Sequence, residues 1–117
     1  MIKIGIIGIT GKMGKEVLFL LSKETNLCLS GAVTSNKNPF INKHLSSLYP
    51  SFSYDVLIEN DIYSTAKKSD VLVDISHRSS LKNLLSAAIK EKKPLVIGTT
   101  GYEEKDFSQI EEASLRS

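Results

Sequence analysis

The chain has 117 residues, the size of one ordinary domain, and its 41% apolar content is enough for a hydrophobic core. Its 15 basic and 13 acidic residues leave a net charge of +2, which does not favour a nucleic-acid or membrane surface. Cys28 is the only cysteine, so an intrachain disulfide and a cysteine zinc cluster are excluded, and we expect a small buried apolar residue there.

The first predicted element is an apolar strand that runs directly into a glycine-rich turn. Residues 2 to 7 form the strand, and Gly8, Gly11 and Gly14 follow at intervals of three. An amphipathic helix that ends near residues 25–26 is then predicted by apolar residues at helical spacing: Met13, Val17, Leu20 and Leu21. In such a strand–turn–helix Gly8 allows a tight exit, Gly11 a close approach of a diphosphate and Gly14 close helix packing, with the helix N-terminus facing the anion. The alternative is a glycine-rich turn without a ligand.

The second predicted strand, residues 27 to 33, ends in a polar tip that bears on the choice of nucleotide. Chains that bind NAD usually hold the adenosine ribose with a carboxylate at this point, but none occurs between Glu24 and Asp55. The tip carries Lys37 instead, which favours a 2′-phosphate and therefore NADP(H), or either form of the cofactor. The alternative is that Lys37 is an ordinary solvated lysine.

The middle of the chain is predicted to alternate between strands and helices. Residues 34 to 53 are assigned to a loop with an exposed His44. A strand over residues 54 to 58, a short helix or turn over 62 to 68 and a strand over 71 to 75 are predicted to follow.

The most strongly patterned helix follows the fourth strand. We expect Ser79 or Ser80 to cap it through a side-chain hydrogen bond, and Pro94 prevents its continuation. Its apolar face is predicted to consist of Leu81, Leu84, Leu85, Ala88 and Ile89. A fifth strand over residues 95 to 97 and a final helix after residue 101 complete the pattern, the helix with Phe107, Ile110 and Ala113 facing inward.

This alternation predicts an α/β fold, a Rossmann-type doubly wound parallel sheet in three αβα layers, within a single dinucleotide-binding domain over residues 1–117. Parallel strands joined by helices require right-handed crossovers. Ligands of such sheets bind at the carboxyl ends of the strands.

Several polar residues are predicted to lie at that edge. For Asp74 we favour a structural role as an acceptor for the following turn, and we place His77 in the cofactor site rather than at the chemistry. In the turn formed by residues 98 to 101, Gly98 lets a flat ring approach, while Thr99 and Thr100 offer hydroxyls to a ribose or amide; the alternative for Thr100 is helix capping.

The glycine turn contains two further candidates, Lys12 and Met13. Lys12 either approaches a phosphate or points to water, and Met13 packs against strands or along the cofactor's edge. Spacing identifies no catalytic triad and no metal-ligand cluster, so we predict no catalytic residue and no metal site in this chain.

Three segments resemble one known family, the 4-hydroxy-tetrahydrodipicolinate reductases, also called dihydrodipicolinate reductases. Residues 8 to 14 resemble its Gly-x-x-Gly-Arg/Lys-Met-Gly loop, and residues 73 to 77 resemble its Val-Asp-Phe-Ser/Thr-x segment. Residues 94 to 102 resemble its Val-Ile-Gly-Thr-Thr-Gly-Phe/Tyr segment, which is the most diagnostic of the three. The resemblance extends over residues 1 to about 112.

The resemblance implies a reductase that transfers a hydride from NADPH or NADH to a cyclic dicarboxylate in the diaminopimelate route to lysine. The cofactor-binding roles that it carries over fall on Gly8, Ile9, Thr10, Gly11, Lys12, Met13, Asn36, Lys37, Gly98, Thr99 and Thr100. Ser35 stands where many members have the ribose-binding acid, which strengthens the case for NADPH. Ile75 and Arg78 replace the usual Phe and Pro.

The resemblance also implies a second domain that is absent from this chain. Family members carry a His-His-x-x-Lys segment for proton donation and a substrate-binding domain through which they form homotetramers. We therefore expect the amino-terminal cofactor part of a longer enzyme, inactive alone, with no nucleic-acid or membrane partner. Because no secretion-type segment precedes the first strand, we expect a cytoplasmic protein. The alternatives are the nucleotide half of a semialdehyde or homoserine dehydrogenase, or a free-standing nucleotide-sensing module.

Overall fold

The protein is described by a computed structural model over residues 1–98, with the exception of residues 36, 53 and 55. Five parallel strands form one sheet in the order β3-β2-β1-β4-β5. Their bounds are Ile2–Ile7 for β1, Leu27–Val33 for β2, Ile58–Glu59 for β3, Val71–Asp74 for β4 and Leu95–Ile97 for β5. This order, with strands added outward on both sides of β1, confirms the predicted Rossmann-type fold.

Helices cover both faces of the sheet. They are α1, Gly14–Ser22; α2, Leu45–Leu48; α3, Ile62–Lys67; and α4, Leu81–Glu91, which a 3₁₀ turn, Arg78–Ser80, precedes. Ile4 and Ile6 of β1 pack in the core on the α1 side, whereas Ile7 belongs to the core that contains α4. Among the described helices, none is long and apolar enough to span a membrane.

The pairing of β1 with β2 contains one irregularity. Ile4 pairs with Leu29, but the next residue, Gly5, pairs with Gly31, so Ser30 is an extra residue in β2. The Ser30 hydroxyl lies 2.7 Å from the hydroxyl of Ser69, just after α3. This bulge reverses the alternation of side chains along the rest of β2.

The structure differs from the prediction over residues 34 to 58, which were assigned to a loop and a third strand. Backbone hydrogen bonds join the predicted loop to the predicted strand. The backbone N–H of Ile58 donates to the Lys43 carbonyl at 2.9 Å, and that of Leu45 donates to the Val56 carbonyl at 2.8 Å. The residues just before Ile58 therefore belong to the crossover segment, residues 34–57, which connects β2 to β3, and only Ile58–Glu59 pair with β2. The segment predicted as loop contains α2, whose Leu45 is fully buried, while His44 is exposed as expected.

Two details predicted for α1 and β2 were wrong. Leu20 is 64% exposed, and Leu18 lies in the core instead, because α1 begins after Met13 and presents Leu18 and Leu21 to the sheet. Cys28 is half-buried rather than buried.

Helix α4 has no side-chain cap at Ser80, because the 3₁₀ turn leads directly into its first turn. Its fully buried face contains Ala87 as well as Leu81, Leu84 and Ala88. Leu85 and Ile89, also predicted to face inward, are half-buried. The predicted final helix lies outside the described residues.

Candidate functional site

A cavity of about 690 Å³ opens at the carboxyl edge of the sheet. It lies between the turn after β1, the carboxyl ends of β2 and β4, and Gly98, which directly follows β5. Seven of the predicted site residues line it: Gly8, Thr10, Gly11, Lys12, Met13, His77 and Gly98. Parallel α/β sheets bind ligands at this place, where the strand order reverses about β1.

Gly8 fixes the turn between β1 and the cavity. Its φ is +93°, in the region that glycine adopts without strain, and its N–H donates to the Val33 carbonyl at 2.8 Å. A Cβ at this position would lie 2.7 Å from the backbone nitrogen of Ser76. The tight exit predicted for Gly8 is therefore present, and it is held between the ends of β2 and β4.

Gly14 permits the close packing predicted for it. A Cβ there would lie 2.0 Å from the carbonyl oxygen of Ile9. Ile9 itself is fully buried, and its N–H donates to the Val33 carbonyl at 3.1 Å. The Ile9 side chain thus belongs to the core and does not line the cavity, unlike its neighbours in the turn.

The turn presents backbone donors to the cavity. The N–H of Gly11 donates to the Gly8 carbonyl at 3.0 Å and closes the turn. Within the described part of the chain, no group accepts from the N–H of Thr10, Lys12 or Met13, and all three residues line the cavity. These unpaired N–H groups lie in the turn that leads into α1, near the positive end of its dipole, an arrangement that suits an anion.

The side chains of this turn differ in their exposure. Lys12 is exposed beside the cavity, and Met13 is 48% exposed there rather than packed in the core. The Thr10 hydroxyl lies 2.6 Å from the hydroxyl of Thr34, which ties the turn to the tip of β2. Lys37 is exposed and does not line the cavity, although Ser35 does.

Asp74 has the structural role expected of it. Its side chain is fully buried, and Oδ1 accepts hydrogen bonds from the backbone N–H of Ser76, at 3.0 Å, and from the Ser76 hydroxyl. Its carbonyl accepts from the Gly98 N–H at 2.7 Å. Asp74 therefore shapes the segment after β4 and positions the start of the segment after β5, both of which line the cavity.

His77 lies on the rim of the cavity and is exposed. Its Nδ1 accepts from the backbone N–H of Ser79 at 3.1 Å, so the ring holds the 3₁₀ turn before α4. With Nδ1 accepting, a neutral ring carries its proton on Nε2. Thr99 and Thr100 fall outside the described residues, as does Asn36.

Sequence reasoning missed the part of the cavity beyond β3 and along α4. Asn60, Ile62 and Asn83 line it. Asn60 directly follows β3, so its position at a strand's carboxyl end was the signal that could have identified it. β3 was predicted over residues 54 to 58, whereas it spans Ile58–Glu59 and places Asn60 directly after its carboxyl end.

Two tyrosines of the crossover segment have altered acidity. Burial raises the pKa of Tyr49, and the neighbouring Glu16 carboxylate raises it further. Burial alone raises the pKa of Tyr54. Both hydroxyls therefore hold their protons more tightly in the folded chain than in the unfolded one, where the ordinary pKa is 10.0.

This difference predicts how stability responds to alkali. The tyrosines' contribution is complete below pH 10 and is lost as the pH rises through their folded-state pKa values. We expect the urea midpoint of the Tyr49→Phe/Tyr54→Phe double variant to fall less steeply between pH 9 and 11.5 than that of the unaltered chain. Each single variant should show an intermediate slope, and identical slopes for all four proteins would contradict the assignment.

The sheet order, the glycine turn and the cavity together define the nucleotide-binding domain class of the dehydrogenases. A family model described as dihydrodipicolinate reductase, N-terminus, matches residues 2–116. The chain belongs to this family.

Curated relatives and solved structures agree with this assignment. The chain is 39% identical over 113 residues to the 4-hydroxy-tetrahydrodipicolinate reductase of Zymomonas mobilis, and 35% identical over 114 residues to that of Sulfurimonas denitrificans. These matches cover 97% of the chain but 38% and 41% of the relatives. The chain thus spans about two fifths of their length.

Two solved structures show the same fold. The dipicolinate-bound dihydrodipicolinate reductase from Paenisporosarcina sp. TG-14 has a TM-score of 0.72 and 25% identity, over 97% of this chain and 43% of that one. The aspartate semialdehyde dehydrogenase with NADP from Candida albicans has a TM-score of 0.71 and 15% identity, over 90% of this chain and 31% of that one. The second match shows a shared architecture only.

Proposed function

We propose that residues 1–117 form the NAD(P)H-binding part of a 4-hydroxy-tetrahydrodipicolinate reductase acting in the cytoplasm, in the route to lysine. The observation that carries the proposal is the family match over residues 2–116. The cavity supports it, because the unpaired N–H groups of the turn between β1 and α1 suit a diphosphate. When bound, the nicotinamide cofactor supplies the hydride.

The residues of this chain bind and orient the cofactor. Thr10, Lys12 and Met13 offer backbone donors to the diphosphate, and the glycine at position 11 leaves room for its close approach. Gly98 and, by resemblance, Thr99 and Thr100 hold the nicotinamide end, while Asn36 and Lys37 hold the adenosine ribose. His77 contacts the cofactor from the rim of the cavity.

The substrate and the proton donor belong to the part of the relatives that this chain does not span. We accordingly expect the 117-residue chain to bind the cofactor without turning over the cyclic dicarboxylate. The active form is then the whole-length homotetramer. Addition of the substrate-binding domain of such a relative to this chain should restore turnover.

Titration of the folded chain with NADPH and NADH, followed by cofactor fluorescence, tests the binding proposal. Saturable binding of at least one is expected, together with competition by ADP-ribose, which carries the diphosphate. A well-folded chain that binds neither cofactor would refute the proposal. Circular dichroism on the same sample establishes folding.

Lys37→Ala tests the choice between the two cofactors. We expect NADPH binding to weaken about three- to tenfold, with NADH binding nearly unchanged, because only NADPH carries the 2′-phosphate that the ammonium would meet. Lys43→Ala is the matched control, since Lys43 is an exposed lysine of the same crossover segment whose ammonium lies 5.7 Å from the centre of the Phe40 ring. Equal losses for NADPH and NADH would refute the phosphate contact.

A further inference from the structure

Tyr49 contacts the glycine turn from outside the cavity. Its hydroxyl donates to the carbonyl oxygen of Ile9 at 2.8 Å, across 40 residues of chain. Tyr49 does not line the cavity, whereas Thr10, the residue after Ile9, does. We propose that Tyr49 is a positioning residue for the dinucleotide's diphosphate: it holds the Ile9–Thr10 peptide so that the Thr10 N–H faces the cavity.

The planarity of the peptide bond links the two groups. No described peptide bond is cis, and in a trans peptide the carbonyl of one residue and the N–H of the next point in opposite directions. A carbonyl drawn towards Tyr49 therefore turns the Thr10 N–H away from Tyr49. No described group accepts from that N–H, which leaves it available to a ligand.

The Ile9 carbonyl has a partner from a segment distant in sequence. The Gly8 carbonyl accepts from Gly11 N–H at 3.0 Å, and the Gly11 carbonyl accepts from Gly14 N–H at 3.2 Å, so both are fixed locally. Without Tyr49, the Ile9–Thr10 peptide could rotate and direct its carbonyl oxygen at the diphosphate. That rotation would replace a favourable N–H contact with repulsion between a carbonyl dipole and an anion.

Gly14 is the reason that Tyr49 can reach this carbonyl. A Cβ on Gly14 would lie 2.0 Å from the Ile9 oxygen and 2.8 Å from the Tyr49 hydroxyl oxygen. The third glycine of the motif thus has a second use besides helix packing. It clears the space in which the hydrogen bond forms.

The crossover segment holds Tyr49 firmly enough for this role. Leu45, at the start of α2, is fully buried, and its N–H donates to the Val56 carbonyl. The Tyr49 N–H donates to the Leu45 carbonyl at 2.9 Å. The Tyr49 hydroxyl, whose ordinary pKa of 10.0 is raised by burial, keeps the proton that it donates at neutral pH.

The test compares Tyr49→Phe with Tyr54→Phe. Both variants remove one hydroxyl from a partly buried tyrosine of the same segment, but the Tyr54 hydroxyl has no hydrogen-bond partner among the described residues. We expect the Kd for ADP-ribose to rise about fivefold in Tyr49→Phe, the effect of one lost hydrogen bond, and to stay unchanged in Tyr54→Phe. In the ligand-free proteins, the Thr10 amide resonance should move in Tyr49→Phe only.

Two results would overturn the inference while leaving the proposed function intact. One is unchanged ADP-ribose affinity in Tyr49→Phe, and the other is weaker affinity with the Thr10 amide resonance unmoved, which would show that the loss does not arise from the Ile9–Thr10 peptide. Since the inference rests on the proposed function, failure of the unaltered folded chain to bind ADP-ribose, NADPH or NADH would refute both together. The unaltered chain therefore distinguishes the two failures.

Discussion

Gly8→Ala should destabilise the fold by about 3 kcal/mol, because the added methyl group combines an unfavourable backbone angle with a clash against backbone atoms. The alanine would have to adopt a φ of +93°, a backbone angle that residues other than glycine rarely adopt. Its Cβ would also lie 2.6 Å from the Cα of Ser76, a backbone atom that cannot swing aside. Urea unfolding measures the loss, and binding of dinucleotide should disappear with it.

Gly98→Ala is the matched control for this variant. Gly98 lies at the same edge of the sheet, but a Cβ there would meet the Asp74 carbonyl oxygen at 3.4 Å and an Ile75 methyl carbon at 3.5 Å, which are ordinary contacts. We expect its unfolding free energy to change by less than about 1 kcal/mol. Similar losses for the two variants would show that the edge is sensitive to any added atom and that Gly8 has no special role.

Asp74→Ala should cost about 3 kcal/mol of stability, because the fully buried carboxyl is the acceptor for both the N–H and the hydroxyl of Ser76. Removing it leaves these donors unpaired in a partly buried place. Since Ser76 lines the cavity, cofactor affinity should fall as well. Urea unfolding and NADPH titration measure the two effects.

Asp70→Ala provides the comparison. Its carboxylate also accepts a backbone hydrogen bond, from the N–H of Lys3 at 2.8 Å, but Asp70 is exposed, precedes β4 at the opposite end of that strand from Asp74, and does not line the cavity. Water can replace an exposed acceptor, so only a small part of the Asp74→Ala loss is expected. Asp74→Asn, which keeps one carbonyl oxygen, should fall between the two. Equal losses at positions 70 and 74 would show that burial does not set the cost.

The sheet and its glycine turn could be predicted because they depend on local patterns. Short apolar runs alternate with segments whose apolar residues recur at helical spacing, and this alternation indicated the parallel sheet. A carboxyl group directly after three apolar residues indicated the structural role of Asp74 as an acceptor for the following turn. The face of α1 was misjudged because the pattern was counted from Met13, which lies before the helix. Leu18, one of its buried residues, was therefore overlooked.

The crossover segment could not be predicted because its structure depends on contacts distant in sequence. α2 is only four residues long, and its position is set by the hydrogen bond from Leu45 to Val56. The hydrogen bond between Tyr49 and Ile9 joins residues 40 positions apart, and no sequence pattern around either residue predicts it. Asn83 likewise reaches the cavity from α4 without belonging to a recognisable motif.

The extra residue in β2 makes the length of this strand a determinant of which side chains line the cavity. Because Ser30 has no partner residue in the register of β1 with β2, Val33 faces the α4 side of the sheet. Thr34, the next residue, reaches the hydroxyl of Thr10. Deleting one residue at the bulge would send the side chain after β2 to the opposite face. Homologous chains that gain or lose a residue in this strand should therefore present different side chains to the cavity even where the tip sequence is the same. Alignments of the tip are then meaningful only when the register of β2 is compared first.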